Sequence, residues 1–408
     1  MVFFSLLGEF FVTLWPVWLA LLIVMGGSYM NRHRLGLYGH VYDSPVGIVG
    51  LFLVLFWVFA ALLAGFMDLY EPLETVRGMK NKPPMTVPQG IENAQPFIFG
   101  GDKIQRDVFS RIIWGTQLVL PIAIFATAVS FTVGITLGLA AGYKGGWLDT
   151  VLSFIANAVL SFPVIVLFYL IVLMGKDSNL PIALAGIIFL FPIALLFFGL
   201  YGYFGGWSRK LLIACLIVGP VLIFAYLRIA YNLPGLGWLA DWAARTFGGG
   251  DQETASSITI WVRDFLRLPG NMLNVFVAVS FASAPGAFRI VRGLALDTKT
   301  RDYVSAAETR GENSWYIMIF EILPNVRGPL IVDAALRVGY TTILLGTLGF
   351  LGIGLGTESP DWGSMINLGR SLLRVYPHMV LPPAIAIMTL VLGLNLLADA
   401  MREQSLKD

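Results

Sequence analysis

The feature that most constrains this chain is a series of apolar stretches, each of about 20 residues or more. They lie at about 5–27, 46–69, 112–141, 150–174, 181–203, 210–231, 270–291, 328–352 and 379–400. Each is long enough to cross the hydrocarbon interior of a bilayer as an α-helix. Only 13% of the residues are charged, against about 25% in a typical soluble domain. The sequence therefore predicts an all-α polytopic membrane protein with about nine spans.

The distribution of Lys and Arg predicts the orientation, because cytoplasmic loops of membrane proteins are enriched in both. The basic residues that follow the first, fifth and seventh stretches fall on one side if odd-numbered spans run inward. They are Arg32, Arg34, Arg209, Lys210, Arg289, Arg292, Lys299, Arg301 and Arg310. The N-terminus is then predicted outside and the C-terminus inside. The near balance of 27 basic and 25 acidic residues argues against nucleic acid as the main partner.

The sequence gives little support for a catalytic site or a metal site. The chain has no Gly-x-x-x-x-Gly-Lys-Ser/Thr phosphate loop, since Leu170 stands where the first glycine before Gly175-Lys176 would be. His33, His40 and His378 show no metal-ligand spacing with one another or with Cys215. We therefore predict no enzymatic activity and no metal or cofactor in this chain.

One segment between two stretches, Leu296–Glu312, is short, charged and compatible with a helix as far as Gly311. We call it the charged segment. Ala306 and Ala307 favour a helix and have small side chains, which suits insertion into a groove on a partner. Gly311 is predicted to provide the turn back toward the membrane. The alternative is a solvated loop without a partner.

A resemblance favours the first interpretation. The pattern Ser305-Ala306-Ala307-x-x-x-Gly311, followed by Ile322-Leu323-Pro324, resembles the signature of permease subunits of ATP-binding-cassette importers. Further similarity, to the second permease of dipeptide, oligopeptide and nickel importers, covers residues 46–174 and 270–404. It lies in Gly101–Arg111, Ala141–Asp149, Arg289–Gly293, Leu323–Val326, Gly349–Gly352, Asp361–Gly363 and Leu394–Arg402.

The resemblance implies a type I importer fold with a six-span core. This chain then adds an N-terminal span and a two-span insertion. The implied divisions are 1–45 (added span and loop), 46–174 (first part of the core), 175–269 (insertion with an outer segment) and 270–408 (second part of the core). The insertion is expected to pack peripherally; the alternative is a platform for the binding protein or an accessory subunit.

The resemblance also implies partners: a second homologous permease, two cytoplasmic ATPases that hold ATP and Mg, and an extracytoplasmic substrate-binding protein. The chain itself would lie in a bacterial inner membrane. The residues implied in coupling to the ATPases are Asp302, Tyr303, Ser305, Ala306, Ala307, Glu308, Arg310, Gly311 and Pro324. Three positions depart from the family pattern: Ser305 replaces the usual glutamate, Gly101 the usual threonine and Gln105 the usual glycine. The lost glutamate puts a salt bridge at that position in doubt, unless Glu308 or Arg310 contributes one.

Asp333 and Arg337 form a second candidate site within the eighth stretch. Their spacing permits an i,i+4 salt bridge, which lowers the cost of placing both charges in the membrane. They are candidates for lining the substrate path, and a purely structural pair is the alternative. For the whole chain, the leading function is half of the path of an ATP-driven importer of peptides or a related solute. An ion-gradient-driven transporter, whose sites use midplane ionisable groups, and a membrane scaffold are the alternatives.

Overall fold

The computed structural model describes residues 2–91, 94–174, 183–191, 194–195, 270–356 and 358–405. The regular secondary structure of this part of the chain is helical, and isolated β-bridges pair Thr86 with Phe97 and Gly101 with Asp107. We number its principal helices α1 to α11. They are Val2–Thr13, Trp15–Met30, Pro45–Leu63, Val108–Lys144, Gly146–Ser161, Val164–Phe168, Gly270–Thr298, Asp302–Thr309, Arg327–Phe350, Trp362–Gly369 and Leu381–Ser405.

Five helices are apolar and long enough to cross a membrane, and up to seven spans result if each of two bent helix pairs counts as one. Seven of the predicted spans have a counterpart among them. The predicted span 181–203 is described only in part, with a helix at 183–191, and the span 210–231 lies outside the described residues together with most of the insertion. The structure thus supports five to seven spans, and the total of about nine remains a prediction.

Two of the predicted spans are bent rather than straight. Helices α1 and α2 meet at 66°, and α5 and α6 meet at 94°. Proline explains both breaks: Pro16 lies in the first turn of α2, and Pro163 is the N-cap of α6. Proline has no N–H to continue a preceding helix and is tolerated where a new one begins. The sequence interpretation missed this, because hydropathy does not register the lost hydrogen bond.

The chain divides into two compact units, Met1–Thr127 with Gly328–Asp408, and Ala128–Arg327. In the first unit, α3 packs along α11 and against α2, and α10 packs on α11. Trp362 is fully buried at the start of α10. Its Nε1 donates to the Ile112 carbonyl at 3.0 Å, and its ring centroid lies 5.0 Å from that of Trp57. The Asp361–Gly363 motif therefore has a packing role.

The segment before α4, residues 67–107, is held by buried charges. Arg106 Nε donates to Asp102 Oδ2 at 2.9 Å, with both side chains almost wholly buried. Asp107 accepts from the backbone N–H and the hydroxyl of Ser110, at 2.8 and 2.6 Å, and so caps α4. Arg111 donates to the carbonyls of Pro72 and Ser359, each at 2.8 Å. The motif Gly101–Arg111 thus anchors this segment to the helix that follows it.

In the second unit, α5 and α6 pack against α7. Val133 from α4 and Leu273, Val277 and Ala284 from α7 share a core with Ala185 and Ile188. The charged segment also belongs to this unit.

Candidate functional site

The charged segment contains one short helix, α8, which is separated from the end of α7 by three residues. Asp302 lies in its first turn, where a carboxylate interacts favourably with the helix dipole. A helix of eight residues is too short to be stable alone in water, so packing must hold it in place. The π-turn Ile317–Ile322 provides that packing surface.

Helix α8 has a buried face and an exposed face. Val304 and Ala307, three positions apart on one face, are both 0% exposed. Ser305, Ala306 and Glu308 are exposed. Tyr303 lies between the two faces, and burial raises the pKa of its hydroxyl. The two alanines, predicted together as partner contacts, therefore differ: the methyl group of Ala306 is accessible, and that of Ala307 packs within this chain.

Gly311 ends α8 in a Schellman motif. Its φ is +80°, in the left-handed region that glycine adopts without penalty. The Gly311 N–H donates to the Glu308 carbonyl at 2.9 Å, and the Glu312 N–H donates to the Ala307 carbonyl at 3.2 Å. These two bonds satisfy helix carbonyls that would otherwise lack donors. The predicted turn at Gly311 thus has a defined geometry.

The charges offered as substitutes for the missing family glutamate are engaged within this chain. Glu308 Oε1 accepts from the Tyr143 hydroxyl at 2.8 Å. Arg310 donates to Glu321 Oε1 at 2.9 Å, and its Nε lies 3.8 Å from Glu312 Oε1. An ion pair with a partner would compete with these contacts.

Pro324 follows the π-turn, in the short helix Leu323–Asn325, and its ring is exposed. A π-turn directly before a proline is consistent with the missing proline N–H, because the regular hydrogen-bond ladder cannot continue there. Pro324 therefore shapes the return of the chain toward α9.

The second candidate pair lies on α9, in the first unit. Arg337 Nε donates to Asp333 Oδ2 at 2.6 Å, and their side chains are 17% and 19% exposed. The i,i+4 ion pair permitted by the sequence is thus formed. Removal of either residue would deprive the other of its counterion in this pair.

The first unit also contains an apolar cavity of about 330 Å³, which Phe10, Phe56, Phe99, Phe109 and Pro382 help to line. Its Trp57 Nε1 is already bonded to Thr389 Oγ1 at 3.1 Å. Since the lining contains no ionisable side chain, it does not match a peptide with charged termini. Among the described residues, no three or more His, Cys, Asp or Glu side chains are grouped as metal ligands.

Sequence reasoning missed the contact between Tyr143 and Glu308 and the ion pair between Asp149 and Arg292. Both Tyr143 and Asp149 lie in the motif Ala141–Asp149. That motif stands out in the sequence only through its similarity to a family, which does not indicate what a side chain contacts.

Comparisons with known proteins identify a matching family and several relatives. Residues 134–405 match the family described as binding-protein-dependent transport system inner membrane component. A glutathione transport system permease protein of Pectobacterium atrosepticum is 28% identical over 304 residues, covering 74% of this chain and 70% of the relative. A dipeptide transport system permease protein of Alkalihalophilus pseudofirmus is 26% identical over 360 residues, covering 88% and 85%. One of Haemophilus influenzae is 24% identical over 357 residues, covering 87% and 88%.

Proposed function

Because this chain belongs to the family of binding-protein-dependent transport system inner membrane components, we propose that it forms half of the path for short peptides through an importer. It is a multi-pass permease subunit of an ATP-driven importer, which confirms the family resemblance. Nothing in the comparisons supports a transporter driven by an ion gradient. The names of its relatives, which refer to dipeptides and glutathione, support a short peptide as the substrate. Uptake of a labelled dipeptide, lost on deletion of this subunit and on ATP depletion, tests the assignment; uptake that survives ATP depletion would contradict it.

The charged segment is the observation that carries the coupling part of the proposal. It presents the exposed face of a short helix beside a rigid, hydrogen-bonded turn at Gly311. We assign that face to a cleft on a cytoplasmic ATPase, with ATP and Mg held by the ATPases. The segment then lies on the cytoplasmic side, together with the C-terminus, as the basic residues predict.

Cross-linking at Ala306 tests the docking face. In a Cys215→Ser background, Ala306→Cys is expected to cross-link to the ATPase in the assembled complex, because position 306 is exposed. Ala307→Cys is the matched control, because the methyl group of Ala307 is 0% exposed; this variant should cross-link severalfold less. The yield is measured by mass spectrometry of the purified complex. Equal yields at 306 and 307, or none from any exposed position between 302 and 310, would contradict docking through this face.

We further assign Asp333 and Arg337 to the substrate path. A half-buried ion pair on a membrane span offers a carboxylate and a guanidinium, which complement the charged termini of a peptide. If the pair only stabilised the helix, exchanging the two charges would restore function, since the ion pair would re-form.

The double variant Asp333→Ala/Arg337→Ala is expected to insert and assemble but to lose most dipeptide uptake. The exchanged variant Asp333→Arg/Arg337→Asp should assemble and remain inactive, because its charges are in the wrong places for the substrate. Uptake and the amount of assembled complex are measured together. Normal uptake by the double alanine variant, or full recovery by the exchanged one, would exclude a role in the path.

A further inference from the structure

The turn between α4 and α5, at the motif Ala141–Asp149, contacts the charged segment and the chain on either side of it. We propose that this turn motif is a brace that transmits displacement of α8 to the hairpin formed by α4 and α5. The inference rests on the proposed coupling role of α8. It names Tyr143 as a positioning residue that acts through Glu308.

The first part of the brace is a polar contact with α8. The hydroxyl of Tyr143, in the last turn of α4, donates to Glu308 Oε1 at 2.8 Å. A hydrogen bond to an ionised acceptor is stronger than a neutral one. The next residue, Lys144, places its Nζ 5.6 Å from the ring centre of Trp315, just beyond the charged segment. The end of α4 is thus attached to the chain on both sides of Gly311.

The second part is a close backbone seam between α4 and α7. A Cβ atom added to Gly142 would lie 2.7 Å from Ala295 Cβ, and one added to Gly138 would lie 2.8 Å from Val291 Cβ. Gly138 and Gly142 are four residues apart on α4, and their partners Val291 and Ala295 are four residues apart on α7. The two helices therefore face each other in the same register over about one helical turn. Small residues allow membrane helices to approach this closely. The backbones of the two helices are therefore in close contact along this seam.

The third part attaches α5. Arg292 on α7 forms a two-pronged contact with Asp149 in the first turn of α5, through Nε to Oδ1 and through Nη2 to Oδ2, the latter at 2.7 Å. Their side chains are 33% and 19% exposed. Such planar pairing fixes orientation as well as distance. Helix α5 is thereby tied to α7 near the end that leads into α8.

These contacts have one mechanical consequence. The seam and the Asp149–Arg292 pair hold α4 and α5 to α7, and the Tyr143–Glu308 bond holds the same hairpin to α8 itself. A displacement of α8 must carry the α4–α5 hairpin with it or break the Tyr143–Glu308 bond. Loss of that bond should leave docking of α8 intact but reduce how far a displacement of α8 moves the α4–α5 hairpin.

A double-variant cycle on the complete importer tests the brace, with dipeptide transported per ATP hydrolysed in proteoliposomes as the readout. Tyr143→Phe and Glu308→Ala are each expected to lower this ratio about fivefold, the net effect of one typical intramolecular hydrogen bond. The double variant should be no worse than either single one. Glu308→Gln keeps an acceptor oxygen and should retain most of the coupling. Tyr169→Phe, at an exposed tyrosine of the same unit, is the control for loss of a hydroxyl.

Cross-linking from Ala306→Cys separates this inference from the docking proposal. An unchanged cross-link in Tyr143→Phe, together with the lowered ratio, supports the brace. A wild-type ratio in Tyr143→Phe while the cross-link forms would overturn the brace and leave docking standing. Effects of the two single variants that multiply in the double variant would also overturn it, since they would then act independently. Absence of the cross-link in the otherwise wild-type complex would instead remove the docking proposal on which the brace depends.

Discussion

Gly311→Val is expected to lower peptide uptake about tenfold while the protein still inserts and assembles. A side chain in the left-handed region costs about 1–2 kcal/mol, and Gly311 has φ +80°. Space is not the reason, because a Cβ at this position would meet nothing within 4 Å. The strain should instead open the Schellman motif and release the two bonds that Gly311 and Glu312 donate to α8. A penalty of about 1.4 kcal/mol shifts that local equilibrium tenfold.

Two control substitutions test whether the effect of Gly311→Val comes from the backbone conformation of the turn. Gly311→Asn should retain most uptake, because asparagine tolerates the left-handed conformation. Gly293→Ala places a side chain at a glycine within α7 where nothing lies within 4 Å, and should leave uptake unchanged. Uptake and complex assembly are measured for all three. Equal loss in the asparagine and valine variants would show that the turn conformation is not the reason for the loss.

The turn at Gly311 also shows what the sequence could predict and why. A glycine at the end of a charged, helix-compatible run is a local signal, and both the turn and helix α8 are where the sequence placed them. The Asp333–Arg337 ion pair was equally predictable from the sequence, because an i,i+4 spacing within one helix brings the two side chains together. The length of the apolar stretches also located the five to seven spans that the structure supports.

Contacts between distant parts of the chain were not predictable in this way. Tyr143 and Glu308 are 165 positions apart, and nothing in either local sequence specifies the other. Ala306 and Ala307 are chemically identical, and only the packing of α8 decides which of them is accessible. The bends at Pro16 and Pro163 had a local signal, but apolar composition continues across both prolines and conceals the breaks.

Gln105 gives a further example of backbone geometry behind a sequence pattern. The resemblance places glycine at this position in the family, and the glutamine here has φ +70°. Its side-chain Oε1 accepts from the Gly78 N–H at 2.9 Å, and its carbonyl accepts from the Val76 N–H at 2.8 Å. These bonds offset part of the strain that glycine would avoid. The departure from the family pattern is therefore accommodated within the segment before α4.

Asp107 is expected to make the stability of the protein fall as pH rises from about 4 to about 6. Its side chain is buried before α4, and this burial raises the pKa of the carboxyl group from 3.8 to about 6. The hydrogen bonds from Ser110 lower the pKa and only partly offset burial, while the nearby Asp102 raises it further. Because the folded state holds this proton more tightly than the unfolded state, the stabilisation is fully present below pH 3.8 and is lost as pH passes about 6. The shift corresponds to about 3 kcal/mol.

Asp107→Asn should abolish this part of the pH dependence and raise stability at pH 7.5. An asparagine oxygen can still accept from Ser110, and its amide would replace Oδ1, which has no hydrogen-bond partner among the described residues. The thermal midpoint of the purified complex, measured from pH 4 to 7.5, should therefore fall less with pH in the variant than in the wild type. Asp297→Asn, at a side chain that is 74% exposed, controls for the chemical change. Parallel pH profiles for wild type and Asp107→Asn would show that this carboxyl group is already ionised at pH 5, with its two hydrogen bonds outweighing burial.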